Sequence, residues 1–205
     1  MEYEEIIDNL EDSRNYAKKN YVPIIREESS RYLFDFVRNN NIKSILEIGT
    51  AIGYSGSIML SCGIDKLVTV DKNPAYLEIA RENFDRLGFK DRVEVFEGDA
   101  KDIIVKLCES GYKFDMVFLD GAKGQYFRYL PILTKMLNVG GLIFADNVLL
   151  QGLVEGDDFV PHKKRSMVVN LRKYLDIVNN YPYSTEMVRI EDGMAITKYI
   201  GEKIC

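Results

Sequence analysis

From residue 42 onward, short apolar segments alternate with segments long enough to form helices, and this alternation constrains the fold more than any other feature. The apolar segments are SILEIG at 44–49, KLVTVD at 66–71, VEVFE at 93–97, FDMVFLD at 114–120 and GLIFAD at 141–146. The intervening segments predict helices, at 54–62, 74–87, 99–110 and 123–138. Strand and helix repeated in this way predict an α/β fold, a Rossmann-like, doubly wound parallel sheet.

Both ends of the chain depart from this repeat. After a helix predicted at 166–179, two strand-like segments at 183–190 and 193–200 are joined by a short Asp-Gly connection, which predicts a hairpin with an antiparallel strand near the C-terminus. The first 40 residues predict two amphipathic helices, at 3–18 and 26–40. They could form a lid, a dimer surface or ordinary packing.

Length and composition limit the class of protein. The 205 residues fit a single domain, 1–205, with an N-terminal helical segment at 1–40 and the α/β core at 42–205. No apolar segment approaches the roughly 20 residues that cross a bilayer, and the acidic N-terminus lacks the parts of a secretory signal. We therefore expect a cytoplasmic protein without membrane association. Three scattered cysteines and one histidine favour neither a disulfide framework nor a zinc site.

The first predicted strand leads into Glu47-Ile48-Gly49-Thr50-Ala51-Ile52-Gly53-Tyr54-Ser55. Gly49 and Gly53 allow a tight turn and a close approach of backbone to ligand before a helix begins. A dinucleotide fingerprint would place glycines where Ala51 and Tyr54 stand. The segment therefore favours a nucleoside without phosphates over a pyrophosphate.

Two acidic residues follow the next strands. Asp71 ends the second strand about 22 residues after Gly49, where a carboxylate can accept hydrogen bonds from ribose hydroxyls. Asp99 and Ala100 follow the third strand and could lie beside an adenine ring. Aspartates at strand ends also cap helices, so that simpler interpretation stays open.

A second group of polar residues follows the fourth and fifth strands. Asp120 ends one strand, and Asp146 and Asn147 follow the other. Because these strands should be neighbours in a doubly wound sheet, two carboxylates and an amide oxygen should converge, and such ligands suit Mg²⁺. Lys123, three residues after Asp120, could help to deprotonate a hydroxyl or stabilise a developing oxyanion. Two helix-capping aspartates are the simpler alternative.

Together, the segments LEIGTAIGYS, VTVDKNP, EGDA, FLDGAKGQY and FADNVL resemble the cation-dependent O-methyltransferase family that contains the catechol and caffeoyl-CoA enzymes. The resemblance implies a class I methyltransferase fold of seven strands, S-adenosyl-L-methionine as donor, Mg²⁺ on Asp120, Asp146 and Asn147, and a homodimer. The donor-binding positions that it implies are Ile25, Glu47, Gly49, Gly53, Ser55, Asp71, Asp99, Ala100 and Asp120.

Within the family, YVPII and DNVLLQGLV are most similar to the bacterial tRNA 5-hydroxyuridine methyltransferases. A basic segment supports this interpretation: Lys163, Lys164 and Arg165, with Arg172 further along the same helix, could contact the phosphates of a tRNA anticodon loop. Three nearby aromatic residues are candidates for stacking on bases, namely Tyr126, Phe127 and Tyr174. Asp157 and Asp158, just upstream, weaken the case for RNA, and a solvated helix face is the alternative.

Three other functions stay open at this point. A small-molecule O-methyltransferase acting on a catechol or another hydroxylated metabolite would share every catalytic residue. A nucleotide-binding oxidoreductase could use the same general fold, although the residues at 51 and 54 argue against it. A non-catalytic binding module would make the convergence of Asp120, Asp146 and Asn147 coincidental.

Overall fold

A computed structural model describes residues 1–156 and 159–201 of the chain. Asp157 and Asp158, which weaken the prediction of RNA binding, and Cys205 lie outside the described residues. No helix in the described ranges is both long and apolar enough to cross a bilayer. Cys62 and Cys108 are half-buried free thiols, and burial raises the pKa of Cys62 to about 12.

The strands form a seven-stranded sheet, in the order β3-β2-β1-β4-β5-β7-β6. They are β1 (Ser44–Ile48), β2 (Lys66–Asp71), β3 (Val93–Glu97), β4 (Phe114–Leu119), β5 (Leu137–Ala145), β6 (Tyr183–Val188) and β7 (Met194–Tyr199). The pairs β1–β2, β2–β3 and β4–β5 are parallel, whereas β7 is antiparallel to both β5 and β6. The predicted seven-stranded, mostly parallel sheet with one antiparallel strand near the C-terminus is confirmed.

The α-helices largely follow the predicted segments. They are α1 (Tyr3–Asn9), α2 (Glu11–Asn20), α3 (Glu27–Asn39), α4 (Tyr54–Ser61), α5 (Pro74–Arg86), α6 (Ala100–Glu109), α7 (Tyr126–Lys135) and α8 (Arg165–Val178). Short 3₁₀ turns lie at Lys90–Arg92, Lys123–Gln125 and His162–Lys164. The helix predicted at 123–138 was too long, because it begins as the second of these turns and gives way to β5 at Leu137.

The single helix predicted at 3–18 was also wrong. Leu10 separates α1 from α2 with φ −99° and ψ 7°, and its N–H is shared between the carbonyls of Ile6 and Ile7. The Leu10 side chain is completely buried. The distortion therefore leaves an apolar residue in the core, and a pattern of apolar spacing cannot reveal such a break.

The contacts divide the chain into two compact units, Met1–Ile103 and Ile104–Cys205. In the first unit, α1 and α3 pack on α4, and the Tyr3 hydroxyl forms a 2.6 Å hydrogen bond with Ser30. The N-terminal helices thus contribute to the core of that unit. In the second, α8 packs on α7 and β6. A single domain spanning 1–205 stays a prediction.

The turn between β6 and β7 pairs with the segment that follows β5. Val148 and Leu149 donate backbone hydrogen bonds to the carbonyls of Gly193 (3.0 Å) and Asp192 (2.9 Å). Gly193 has φ +75°, and a Cβ added there would lie 2.6 Å from Cδ1 of Leu149, with another atom of that side chain closer still. The close approach of these two loops requires glycine at this position.

We therefore predict that Gly193→Ala lowers the free energy of unfolding by about 2–4 kcal/mol, since it adds steric overlap to backbone strain. Urea denaturation measures the change. Gly111→Ala is the matched control, because Gly111 also has positive φ but open space around a Cβ among the described residues; it should lose only about 1 kcal/mol. Equal losses would contradict the packing argument.

Candidate active site

The loop after β1 in the first unit makes a tight turn through three residues with positive φ. Gly49, Ala51 and Gly53 all have positive φ, at 109°, 43° and 77°. Asp71, at the end of β2, holds the loop: Oδ2 accepts the Ala51 N–H at 2.9 Å and Oδ1 accepts the Asn73 N–H at 3.0 Å. Each carboxylate oxygen can accept a further hydrogen bond. Asp71 can therefore shape the loop and still contact sugar hydroxyls.

Gly53 has a structural role of its own. A Cβ at this position would lie 2.9 Å from the ring of Phe84 and 3.2 Å from Cβ of Ala80, both on α5. The start of α4 thus packs directly against α5. Gly53 is explained by close packing as well as by its backbone conformation, as the last glycine of a nucleotide-binding turn often is.

Glu47 lies below this loop and is completely buried. Its carboxylate accepts hydrogen bonds from the Ser55 hydroxyl at 2.5 Å and the Thr69 hydroxyl at 2.6 Å. The Thr69 hydroxyl also lies 2.6 Å from that of Thr50. Two of the predicted donor positions, Glu47 and Ser55, therefore support the loop through a shared network. Sequence reasoning missed Thr69, although a threonine inside the apolar segment KLVTVD was visible.

The remaining donor positions of this unit have simpler surroundings. Asp99 caps α6, since its Oδ1 accepts the Lys101 N–H at 3.0 Å, and this bond lowers the pKa of Asp99. Ala100 is the first residue of α6, and Ile25 is buried just before α3. The geometry of Asp99 is that of the capping alternative, and a contact with adenine stays a prediction.

The predicted metal residues converge in the second unit. Asp120 directly follows β4 and Asp146 directly follows β5, and the Asp146 N–H donates to the Leu119 carbonyl at 2.9 Å. The Lys123 ammonium lies 3.7 Å from Oδ1 of Asp120 and donates a hydrogen bond to Oδ1 of Asn147. Two carboxylates, an amide oxygen and one ammonium thus meet where neighbouring strands end.

Asp146 is the most unusual member of this group. Its side chain is completely buried, and Oδ1 accepts the N–H of Asn147 at 2.7 Å. Oδ2 is also buried, and it has no hydrogen-bond partner within the described residues. An ionised oxygen in that state is destabilising unless a positive group contacts it. Asn147 has φ +55°, a conformation that asparagine adopts more readily than most residues.

Burial is the main cause of the electrostatic behaviour of the two carboxyls. Desolvation raises the pKa of Asp120 to about 6, against the opposing effect of Lys123. Desolvation, together with the nearby charge of Asp120, raises the pKa of Asp146 to about 7. Because the groups interact, these pKa values belong to the pair. Both raised pKa values show that the fold disfavours two ionised carboxylates at this point, even with the ammonium of Lys123 beside them.

The chemistry of this donor set fits a hard divalent cation. No group of three or more His, Cys, Asp and Glu side chains capable of holding a metal occurs in the described parts of the chain. The set instead consists of two carboxylates and the amide oxygen of Asn147, which suits a Mg²⁺ ion that also binds water and substrate. The unpartnered oxygen of Asp146 is the observation that favours this over two capping aspartates.

Tyr126 is a residue of this site that sequence reasoning did not single out for it. Its hydroxyl donates to the Leu119 carbonyl at 2.9 Å and contacts the Asp146 carbonyl at 3.4 Å. It therefore ties together the two strand ends that carry Asp120 and Asp146. Tyr126 and Tyr129 are both buried and pack in the core of this unit. In the sequence, only its position three residues after Lys123 indicated that Tyr126 lies at this site.

The aromatic residues suggested for base stacking are mostly unsuitable. Tyr126 and Tyr174 are completely buried and pack edge to face at 5.6 Å, so the suggestion that either stacks on RNA bases was wrong. Phe127 is half-buried, with Arg128 at 5.3 Å and Lys173 at 5.6 Å from its ring centre. It alone of the three retains an accessible face.

The four predicted RNA contacts fall into two kinds. Lys163 and Arg165 are exposed and Lys164 is half-buried, bonded to Gln151 at 3.0 Å. Arg172, by contrast, donates hydrogen bonds to three backbone carbonyls of the loop after β5, those of Leu153, Val154 and Gly156, at 2.7–3.3 Å. Arg172 therefore anchors that loop, and the solvent-facing basic cluster consists of Lys163, Lys164 and Arg165.

Solved structures define the class of fold. A candidate caffeoyl-CoA O-methyltransferase from Staphylococcus aureus matches with a TM-score of 0.81 and 31% identity, over 95% of this chain and 97% of that one. An O-methyltransferase from Bacillus cereus, solved with SAH, matches with a TM-score of 0.81 and 25% identity, over 93% and 90% of the two chains. The fold is that of the α/β methyltransferases.

The family follows from the sequence match. The profile of the O-methyltransferase family matches residues 2–200, and the chain belongs to that family. The catechol O-methyltransferase of Niastella koreensis is 38% identical over 116 residues, which cover 55% of this chain and 52% of that protein. The chain thus spans about half the length of that curated relative. Membership favours neither the oxidoreductase nor the binding-module alternative.

We predict that the buried carboxyl of Asp146 makes metal-free protein less stable as pH rises. A carboxyl whose pKa is raised by folding keeps its proton in the folded state after the unfolded chain has lost it. Its stabilising contribution is therefore complete below the unfolded pKa near 4 and is lost through about pH 7. The stability of Asp146→Asn relative to wild type should rise by about 1–3 kcal/mol from pH 5 to 8.

Urea denaturation in EDTA at several pH values gives this difference directly. Asp176→Asn, which alters an exposed carboxyl on α8, is the control and should follow wild type throughout. Parallel pH profiles for Asp146→Asn and wild type would show that the pKa of Asp146 is not raised in the folded protein.

Proposed function

We propose that this protein transfers a methyl group from S-adenosyl-L-methionine to a hydroxyl oxygen with the help of a divalent cation, most simply Mg²⁺. Asp120, Asp146 and Asn147 would hold the cation. The single observation that carries the proposal is the buried, unpartnered Oδ2 of Asp146 beside a second carboxylate. The SAH bound to the related enzyme from Bacillus cereus supports the choice of donor.

The first unit would bind the donor. Asp71 retains acceptor capacity for ribose hydroxyls while it fixes the backbone of Ala51. Gly49 and Gly53 place no side chain at the turn, and the hydrogen bonds of Glu47 to Ser55 and Thr69 stabilise the loop from below. These residues provide a site for a nucleoside, and the missing glycines at 51 and 54 agree with a ligand that has no pyrophosphate. The predicted donor contact of Asp120 stays a prediction.

The second unit would bind the cation and the acceptor. When bound, the donor supplies an electrophilic methyl group and the cation lowers the pKa of the acceptor hydroxyl and orients it. Lys123 is held by Asp120 and Asn147, so its ammonium has a fixed position among the proposed ligands. This ion pair favours a positive charge that stabilises the acceptor oxygen as its proton leaves, the second of the two roles considered for Lys123.

We expect Asp146→Ala and Asp120→Ala to abolish turnover, because each removes a charged ligand. Lys123→Ala should only slow the reaction, by about 100–1,000-fold, the range for one electrostatic contact. Initial rates with labelled donor and saturating Mg²⁺ measure these effects. EDTA should stop the wild-type reaction, and Mg²⁺ should raise the melting temperature of wild type but not of Asp146→Ala. Full activity in EDTA, or in Asp146→Ala, would contradict the mechanism.

For the acceptor, we propose 5-hydroxyuridine at the wobble position of tRNA, converted to 5-methoxyuridine. The 5-hydroxyl lies beside the 4-carbonyl, so this base offers two adjacent oxygens to one cation. The basic cluster of Lys163, Lys164 and Arg165 supports an RNA substrate, since clustered cations bind phosphates. Phe159, 79% exposed with Arg165 at 5.7 Å from its ring centre, adds an accessible aromatic face.

A small catechol-like molecule is the second candidate acceptor. It also presents two adjacent oxygens, and the names of the related enzymes from Niastella koreensis and Staphylococcus aureus point to catechol and caffeoyl-CoA chemistry. A free catechol needs no contact with the basic cluster. The two acceptors therefore differ in their dependence on that cluster. The expected homodimer and cytoplasmic location stay predictions.

We predict that replacing Lys163, Lys164 and Arg165 together by alanine lowers the rate of tRNA methylation at least tenfold. The rate with a free catechol should stay within twofold of wild type, because only tRNA has phosphates that contact the basic cluster. The assay uses tRNA that carries 5-hydroxyuridine but not its methyl group, and nucleoside mass spectrometry detects 5-methoxyuridine. The triple variant should also show a smaller dependence of KM on salt.

The matched control replaces three exposed lysines outside the cluster, Lys19, Lys90 and Lys106. It should methylate both acceptors as wild type does. If wild-type enzyme forms no 5-methoxyuridine but methylates a catechol in the presence of Mg²⁺, the acceptor is a small catechol-like molecule and the tRNA proposal is wrong. Methylation of neither acceptor would contradict the methyltransferase proposal itself.

A further inference from the structure

A cavity of about 610 Å³ opens in the second unit, away from the proposed metal residues. It is lined by the start of β5, the end of α7 and the ends of β6 and β7 that lie farthest from their connecting turn. Gly141, in its wall, precedes Asp146 by five residues along an extended strand, a distance of about 16 Å. The volume is within the roughly 300–1,000 Å³ of small-molecule sites.

An irregularity in the sheet forms one side of this cavity. Phe114 pairs with Leu137 and Met116 pairs with Leu142, so one residue of β4 faces four residues of β5. Residues 138–141, three more than a regular register would hold, bulge from the sheet, and Val139 is 81% exposed. Bulges of this kind occur preferentially near functional sites, where they redirect the backbone. Here the bulge creates an apolar edge at the mouth of a pocket.

The side of the cavity opposite the bulge is aromatic, and its side chains are held in place by contacts with one another. Tyr183 and Tyr199 pack edge to face with ring centres 5.6 Å apart. The Tyr183 hydroxyl lies 3.0 Å from the Thr134 hydroxyl, which in turn donates to the Leu130 carbonyl at 2.7 Å. With Pro131 and Pro182 they give a wall of flat and rigid groups. Such a wall favours a planar, apolar ligand.

The charges in the lining are both positive. Lys113 and Lys135 contribute to it, and no aspartate or glutamate does among the described residues. Lys113 donates a hydrogen bond to the backbone carbonyl of Lys135, whereas the Lys135 ammonium has no partner in the described parts of the chain. The nearby carboxylate of Asp115 accepts a hydrogen bond from Asn138 at 2.7 Å. The pocket therefore combines an apolar body with an available cation.

We infer that this cavity is a second small-molecule site, which binds an aromatic carboxylate. The ring would lie against Tyr183 and Tyr199, and the carboxylate would contact the Lys135 ammonium. This inference does not depend on the proposed methyltransferase chemistry, because none of its residues belongs to the donor, metal or basic-cluster positions.

The test is a titration of the wild-type protein with 2-naphthoate, followed by amide chemical shifts in NMR spectra and by calorimetry. We expect saturable binding with shifts centred on Val139 and Tyr199. Lys135→Glu should weaken binding by about tenfold, which is 1.4 kcal/mol, and Lys106→Glu, an exposed lysine on α6, should leave it unchanged.

Uncharged 2-naphthamide tests the contribution of the aromatic wall separately from that of the Lys135 ammonium. It should bind about tenfold more weakly than 2-naphthoate. Equal binding of the two probes, or equal binding by Lys135→Glu and wild type, would overturn the role of the cation. Absence of saturable binding, or shifts centred on Asn147 instead of Val139, would overturn the site. If the protein self-associates at high concentration and this prevents 2-naphthoate from binding, the surface belongs to a contact with a second copy of the chain. That result would also overturn the inference of a small-molecule site.

Discussion

The burial of two carboxyl groups at neighbouring strand ends is the constraint on which the proposed active site depends. Asp120 and Asp146 follow adjacent parallel strands, and parallel pairing brings such ends to one edge of the sheet. At this edge desolvation and mutual repulsion both disfavour the charged forms. Lys123 offsets only part of that cost. The proposed cation, bound there, would complete the charge balance.

Several contacts hold this unfavourable arrangement in place. Tyr126 joins the two strand ends, and the β6–β7 turn forms backbone hydrogen bonds with the segment after Asn147. Further along, Arg172 binds three carbonyls of the loop, and Arg189 forms a bidentate ion pair with Glu155 at 2.7–2.8 Å. The exposed ion pair alone would contribute little. Together with the backbone contacts, however, it fixes the loop that adjoins the proposed acceptor site.

The positions of the chemistry-bearing residues were predictable, whereas the contacts that support them were not. A strand that ends in aspartate places that residue at the sheet edge whatever the details of packing, so the convergence of Asp120, Asp146 and Lys123 followed from strand order. Arg172 was predicted to bind RNA, because sequence shows its charge but not the carbonyls that its side chain reaches. The bulge at 138–141 depends on a register that no local pattern encodes.

The two units satisfy their polar groups in different ways, and this difference bears on function. In the first, the carboxylates of Glu47 and Asp71 already accept hydrogen bonds from the loop that they support, so its shape does not require a ligand. In the second, Asp146 keeps one buried oxygen without a partner. A preformed donor loop needs little reorganisation to bind, whereas the acceptor side would gain stability from its cation. Metal binding should therefore be the step that most changes the protein's own stability.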